Sequence, residues 1–274
     1  MSIGIRTNNL AIRAANQQSN VHSQLGRTLD QASSGHRITR AADDAAGSAI
    51  SIELSAQIHS NEQAIRNAND GISMSHMSQA SVHTARDLLD RARELAVQSS
   101  SDIMSQEQRT YIDDEWRSIL SEMKRLAQVT DFNGQKVSNG EEYDVQVGTG
   151  NTDNDRITLS MGSVRAVVIA VGVIDLSSDS ATSQTAIDRI DIGIKTANSQ
   201  LATLGAQENR LMSSIQFAQS HGEALAQSKS RITDADMAAT TTQMTALQIK
   251  NQASASALSQ ASQISSGVIG LISG

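Results

Sequence analysis

Apolar residues recur at helical spacing from the first residues of this chain. Val21, Leu25, Thr28 and Ala32 keep the 4-3-4 spacing of a coiled-coil seam, which predicts a helix over residues 1–34. A seam of this kind indicates a helix that packs lengthwise against another helix.

Two more helices are predicted after a short break. The pattern indicates a long helix over about residues 45–99, in which some apolar residues lie seven apart: Ile58, Ile65 and Ile72. Gly71 falls between strong heptad positions, so we expect one continuous helix. A polar turn precedes a third helix over about residues 106–129, with Ser105 as a capping candidate.

Turn and strand signals replace the helical period in the middle of the chain. Asn133-Gly134 is a strong turn signal, and residues from about 131 to 180 are typical of short strands linked by Gly, Asn and Asp. The predicted strands are Tyr143–Val147, Arg156–Met161 and Val164–Val173. We therefore expect a small β-hairpin region between the helices.

The heptad pattern returns over about residues 183–232, breaks at Thr233–Asp236 and resumes from Met237 to the end. Because short loops make neighbouring helices antiparallel, the predicted fold is mainly α. It is an elongated antiparallel helical bundle or coiled coil, with the two chain ends together and a small β-hairpin region in the middle.

Composition supports long helices and excludes several chemistries. The 274 residues contain no proline, which would break helix interiors, and only 2% aromatics. The absence of cysteine excludes disulfides, zinc–thiolate sites and cysteine nucleophiles. The net charge of −7, without a basic patch, argues against nucleic acid, and no apolar run approaches a membrane span. The first residues lack the apolar core of a cleavable signal peptide, so we expect any export to leave the chain uncleaved.

The two ends carry very little charge. Residues from Met237 onward contain one charged side chain, Lys250, and residues 1–26 contain Arg6 and Arg13. Exposed helices normally have a charged face, so these ends are typical of segments that fold and are buried on self-assembly. The alternatives are an ordinary two-helix coiled coil in a monomer, or flexible tails. The candidate assembly seam is Val21, Leu25, Met244, Leu247, Leu258 and Val268.

Candidate catalytic groups do not form a recognisable site. His76 and His83 share a helix face without an acidic residue at metal-ligand spacing to both, and no HExxH motif occurs. Asp43-Asp44 and Asp113-Asp114-Glu115 lack a predicted pocket, so polar contacts or caps are the expected roles. We predict no catalytic, metal or cofactor site, and no enzyme activity.

Several long stretches resemble bacterial flagellins. They are LDQASSGHRITRAADDAAGSAIS at Leu29–Ser51, RNANDGIS at Arg66–Ser73, RARELAVQSS at Arg91–Ser100, TDFNGQKV at Thr130–Val137 and SRITDADMA at Ser230–Ala238. The resemblance covers about residues 1–140 and 183–274. It implies a secreted subunit of the extracellular flagellar filament, which self-assembles through its terminal helices for swimming motility.

The resemblance also implies a division into domains. Residues 1–44 and 233–274 are expected to form a discontinuous terminal coiled-coil core, and residues 45–232 an inner rod domain. The middle of the chain is too short for the large outer domains of many family members. Alternatives are a minor flagellin, a hook–filament junction protein or, in a different class, a secreted coiled-coil effector.

The family implies several partners besides the chain itself. These are a flagellar type III export chaperone, the filament cap, hook-associated junction proteins and the host Toll-like receptor for flagellin. The positions that match the receptor contacts are Arg91, Leu95 and Glu115. A charged joint between core and rod is expected to make intersubunit contacts through Arg37, Arg40, Asp43 and Asp44.

Overall fold

The computed structural model describes the backbone of residues 7–273 and the side chains of residues 7–263. Within these limits the chain forms six α-helices: α1 Asn9–Ser34, α2 Ala45–Ser99, α3 Gln106–Val129, α4 Val164–Val171, α5 Ser180–Thr233 and α6 Met237–Ser273. The mainly helical class is confirmed, and α2 runs through Gly71 without a break. Ser105 caps α3 in a reciprocal pair with Gln108, so this cap prediction is also confirmed.

Two short antiparallel hairpins lie between α3 and α4. The first pairs β1, Asp131–Phe132, with β2, Gln135–Lys136. Its turn places Asn133 and Gly134 at positive φ, which Asn and Gly tolerate best. The second pairs β3, Glu142–Gln146, with β4, Arg156–Ser160. The predicted strands at residues 143–147 and 156–161 are therefore confirmed.

The predicted strand Val164–Val173 is wrong, because this segment forms α4. Its run of β-branched residues favours a strand locally, but packing overrides this preference. Val164, Val167 and Val171 are buried at helical spacing. The Ser163 hydroxyl accepts a hydrogen bond from the Ala166 amide at 3.0 Å and caps the first turn.

Residue contacts divide the chain into two compact units. Unit 1 contains the chain up to Ala56 and from Ala224, and unit 2 contains Gln57–Glu223. In unit 2, α2 and α5 run antiparallel, since Ser99 bonds Ser183 at 3.0 Å while Asn61 bonds the Ala218 carbonyl at 2.6 Å. The core of unit 2 surrounds Trp116, which is fully buried together with Leu89 and Met123.

Two serines of α2 attach the hairpin region to the helices of unit 2. The Ser78 hydroxyl donates to the Val137 carbonyl at 2.7 Å and accepts from the Gly162 amide at 2.8 Å. The Ser81 hydroxyl bonds that of Ser138 at 2.6 Å. A Cβ at Gly162 would lie 2.5 Å from a Val82 methyl group, so this close approach requires glycine.

Candidate assembly surfaces

The two terminal helices pack antiparallel in unit 1. The Asn8 amide donates to the Ala261 carbonyl at 2.8 Å, and Gln18 donates to the Asn251 side chain at 2.7 Å. These neutral amides satisfy each other, so no ion has to lose its water as the helices approach. The helix pair is thus held by apolar side chains and amide hydrogen bonds.

The candidate seam residues with described side chains lie on or near this helix–helix contact. Val21 and Leu247 are buried, whereas Leu25, Met244 and Leu258 are half-buried. Val268 lies in the α6 backbone but outside the residues whose side chains are described. Burial within one chain uses much of this seam, so other faces of the two helices are left for contact with further copies.

Those other faces carry exposed apolar residues that the heptad analysis missed. Around half or more of each of these side chains is exposed: Leu10, Ile12, Leu29 and Ile249. Ile249 is the most exposed of the four, at 63%. The signal that could have found them is their position off the heptad register, on helices with too few charges to explain an exposed face.

The predicted joint residues are anchored by bonds within the chain. Arg37 donates from its guanidinium to the Ile232 carbonyl at 2.7 Å and from its backbone to the Thr233 carbonyl at 2.7 Å. Arg40 pairs with Asp30 at 2.9 Å. These three bonds fix the segment that follows α1.

The two joint carboxylates make local hydrogen bonds. Asp43 accepts from the Thr39 hydroxyl and from the Thr39 and Arg40 amides, and the Thr39 hydrogen bond is the largest cause that lowers the pKa of Asp43. Asp44 accepts from the Gly47 amide at 2.9 Å and caps the start of α2. These are a polar contact and a cap, the two roles expected for this pair.

The structure separates the three residues predicted to contact the immune receptor. Arg91 donates to Glu115 at 2.7 and 2.9 Å and to Glu94 at 2.9 Å, and this exposed cluster raises the pKa of Arg91. Leu95 is only 2% exposed and packs in the core of unit 2. The spacing of four predicts that Arg91 and Leu95 share a side of α2, but Leu95 belongs to the core cluster that also contains residues of α3 and α5.

Two further titratable residues, Asp113 and His76, make structural contacts. Asp113 is buried and accepts from the Leu176 amide at 3.0 Å and from Arg117 at 2.6 Å. His76 lies 2.9 Å from Glu208, and this hydrogen bond is the largest cause that lowers the pKa of Glu208. Among the described side chains, no three His, Asp or Glu groups are arranged to hold a metal ion. No helix in the described part is long and apolar enough to cross a bilayer.

Paired end helices that are nearly uncharged and expose apolar residues are features of a self-associating structural protein. Two family models identify which one. The model for the bacterial flagellin N-terminal helical region matches residues 5–143, and the model for the bacterial flagellin C-terminal helical region matches residues 187–272. The chain belongs to the bacterial flagellin family. It is a structural subunit of the flagellar filament, an extracellular polymer of many copies.

Individual relatives agree with the family models. The chain is 36% identical over 262 residues to a flagellin of Halalkalibacterium halodurans, covering 92% of this chain and 96% of the relative. It is 33% identical over 285 residues to a flagellar filament core protein of Treponema phagedenis, covering 98% and 99%. The near-complete coverage of these two relatives fits a short family member.

A solved structure supports the fold. A Vibrio parahaemolyticus chain assigned as a flagellar hook-associated protein matches with a TM-score of 0.61, covering 70% of this chain and all of that one. Its sequence identity is 11%, so this likeness concerns the fold alone.

Proposed function

We propose that unit 1 is the polymerisation unit, in which copies of the chain cover the exposed apolar faces of α1 and α6. The observation that carries this proposal is the exposure of Leu10, Ile12, Leu29 and Ile249 on helices that are otherwise almost uncharged. Fully burying a side chain of this size contributes about 1.5–3 kcal/mol. Several such side chains per copy supply a driving force for association.

The helix pair of one chain buries little by itself. Among the described side chains of unit 1, Val21 and Leu247 are the buried apolar residues. Isolated helix pairs need more burial than this to offset the entropy of ordering the chain. The proposal therefore includes folding of the end helices as they dock into the filament.

The low charge of α6 lowers the cost of burial on every side. Lys250 is its one charged residue and is exposed in the single chain. Desolvating an unpaired ion costs far more than desolvating an amide or hydroxyl that keeps a hydrogen bond. A helix made of Ala, Ser, Thr and Gln can therefore pack against several neighbours at once.

The test is seeded elongation with a matched pair of variants. Purified chain is mixed with short filament fragments, and growth is followed by light scattering and electron microscopy. Ile249→Lys places a charge on the exposed face and is expected to abolish elongation, whereas Ile249→Leu keeps the face apolar and should elongate normally. Equal growth of both variants, with circular dichroism showing both equally folded, would contradict the proposal.

The domain division follows from the same proposal. Residues 1–44 and 233–274 are proposed as the core domain of the filament subunit and residues 45–232 as its rod domain, with the joint residues 37–44 at the end of the first core segment. Removing residues 237–274 should abolish elongation. A truncated chain that elongates as well as the full one would contradict the division.

We also propose partners and a route that suit such a subunit. The chain would be exported through the flagellar type III apparatus with a chaperone, fold beneath the filament cap, and contact hook-associated junction proteins at the filament base. It would have no enzyme activity. A minor flagellin or junction protein would add to filament ends or cap them without extended growth, and a coiled-coil effector would not elongate seeds at all.

A second role is recognition by the host Toll-like receptor for flagellin. The exposed ion-pair cluster of Arg91 with Glu115 and Glu94 favours it, since a receptor can reach these groups. Leu95 would act only by supporting the helix from beneath. Arg91→Ala should reduce signalling in receptor-reporter cells, and the nearby Arg86→Ala is the matched control. Equal signalling by both variants would count against this role.

A further inference from the structure

A groove on unit 2 lies between the C-terminal end of α3 and the helix α4. Its volume is about 680 Å³. Its walls combine an apolar side, formed by Ala127, Val168 and Ile169, with a cationic rim. The rim consists of Lys124, Lys136 and Arg165. A groove of this kind fits an apolar side chain that has a carboxylate next to it.

Two of the three cations are available to a partner. Lys136 pairs with Asp131 at 3.6 Å and donates to the Gln128 carbonyl at 2.6 Å. Lys124 and Arg165 are exposed and make no ion pair or hydrogen bond within the described part of the chain. The rim is thus a local cluster of positive charge on a chain whose net charge is −7. An acidic group is attracted to such a rim.

The complementary surface is the turn between α2 and α3. Ile103 is 93% exposed there, and the neighbouring Asp102 is exposed without an ion pair among the described residues. The turn is held in place, since Arg109 donates to the Ser101 carbonyl at 3.0 Å and the Met104 amide donates to it at 3.2 Å. An isoleucine presented to water on an anchored turn loses little entropy when a partner covers it.

We propose that the turn of one copy docks into the groove of the next copy, with Ile103 against Val168 and Ile169. Asp102 then lies between Lys124 and Arg165. This inference rests on the proposed function, because it specifies one of the contacts that a polymer of this chain makes. The proposal names a second copy as the occupant because both the apolar and the charged parts of the groove find their complement on the chain itself.

The positions of the turn and the groove on the chain determine which kind of assembly this contact produces. They lie at opposite ends of α3, about 30 Å apart at 1.5 Å per residue, so a copy cannot fill its own groove. When the turn of one copy enters the groove of the next without the reverse contact, the contact is head-to-tail, and it propagates into an open filament unless the copies close into a ring. A twofold dimer would instead make the same contact twice between two copies and would leave no free turn or groove for a third.

Disulfide trapping tests the contact directly, because the chain contains no cysteine of its own. The double variant Ile103→Cys with Ile169→Cys is assembled into filaments and treated with a mild oxidant. Denaturing gels without reductant should then show a ladder of dimers, trimers and longer species. Both positions are exposed in the single chain, so folding should be preserved.

The matched control combines Ile103→Cys with Phe217→Cys, since Phe217 is also exposed but lies on α5 away from the groove. It should give no ladder. Filaments of the test pair without a ladder, or an equal ladder in the control, would overturn the docking contact while leaving the proposed polymerisation intact. If the unaltered chain does not elongate seeds, the proposed function fails, and this inference fails with it.

Charge exchange provides a second measurement in case the cysteine variants assemble poorly. Asp102→Lys should raise the critical concentration for polymerisation about fivefold, as expected for losing one ion pair. Adding Lys124→Glu to the same chain should restore most of the loss. A fivefold rise with no recovery, or no change in either variant, would contradict the pairing.

Discussion

Units 1 and 2 both consist mainly of long α-helices, but they differ in how much apolar surface each buries by itself. Unit 2 surrounds Trp116 and Leu89 with a continuous apolar core and satisfies the buried hydroxyls of Ser78 and Ser99 internally. Unit 1 buries Val21 and Leu247 between two helices and leaves other apolar side chains exposed. One chain thus combines a unit that has a continuous core of its own with a unit that, as we propose, completes its burial against neighbouring copies.

The largest expected difference between the two units comes from truncating a buried side chain in each of them. Trp116→Ala should lower the free energy of unfolding of unit 2 by about 3–5 kcal/mol, because a fully buried ring leaves a cavity. Leu247→Ala in unit 1 should change the unfolding of the single chain little, because we propose that the end helices fold as they dock into the filament. Urea unfolding followed by circular dichroism measures both. If Leu247→Ala cost as much as Trp116→Ala, unit 1 would have its own well-packed core.

Two glycine substitutions test how tightly unit 2 is packed. Gly162→Ala should destabilise by about 1–3 kcal/mol, since the added Cβ would meet a Val82 methyl group at 2.5 Å. Gly205→Ala is the control, because it lies in α5 with no atom within 4 Å of the new Cβ. It should stabilise by about 0.5–1 kcal/mol through helix propensity. Thermal unfolding should therefore move in opposite directions for the two variants.

The smallest expected effect concerns the His76–Glu208 pair between α2 and α5. The hydrogen bond from His76 holds the pKa of Glu208 below its ordinary value of 4.5. The contribution of Glu208 to stability is therefore fully present above about pH 4.5 and is lost as the pH falls through the lowered pKa. Glu208→Gln should be less stable than the unaltered chain at pH 7, and the difference should shrink below pH 4.5.

The control for this pH effect is Glu223→Gln, whose carboxylate is exposed and makes no bond within the described residues. Its urea midpoint should follow that of the unaltered chain at every pH. A constant difference between Glu208→Gln and the unaltered chain from pH 7 to pH 3 would show that Glu208 acts through packing rather than charge.

The long helices could be predicted because their apolar residues repeat over many heptads. The seven-residue spacing of Ile58, Ile65 and Ile72 predicts one helix despite the glycine at position 71. Ser105 marks the start of α3, because serine is a common N-cap residue. Each of these signals lies in residues that are close in sequence, so a single amino-acid sequence is enough to detect it.

The short segment at Val164–Val171 could not be predicted in this way. Its β-branched residues favour a strand, and the helix forms because Val164, Val167 and Val171 fit the core of unit 2. The burial of Leu95 could not be predicted for a similar reason. Sequence spacing shows which residues share a helix face, but it does not show which helix packs over that face. The groove beside Lys124 and Arg165 brings together residues distant in sequence, which periodicity does not detect.

The serine attachments of the hairpin region have a consequence for the order of folding. Ser78 joins residues that are 59 and 84 positions away along the chain, whereas the helices close contacts only four positions apart. Contacts with long sequence separation form slowly, because a large loop must close before they contribute. We therefore expect the attachment of this region to Ser78 to form late in the folding of unit 2, and the Gly162 amide to gain protection from hydrogen exchange after the amides inside α2.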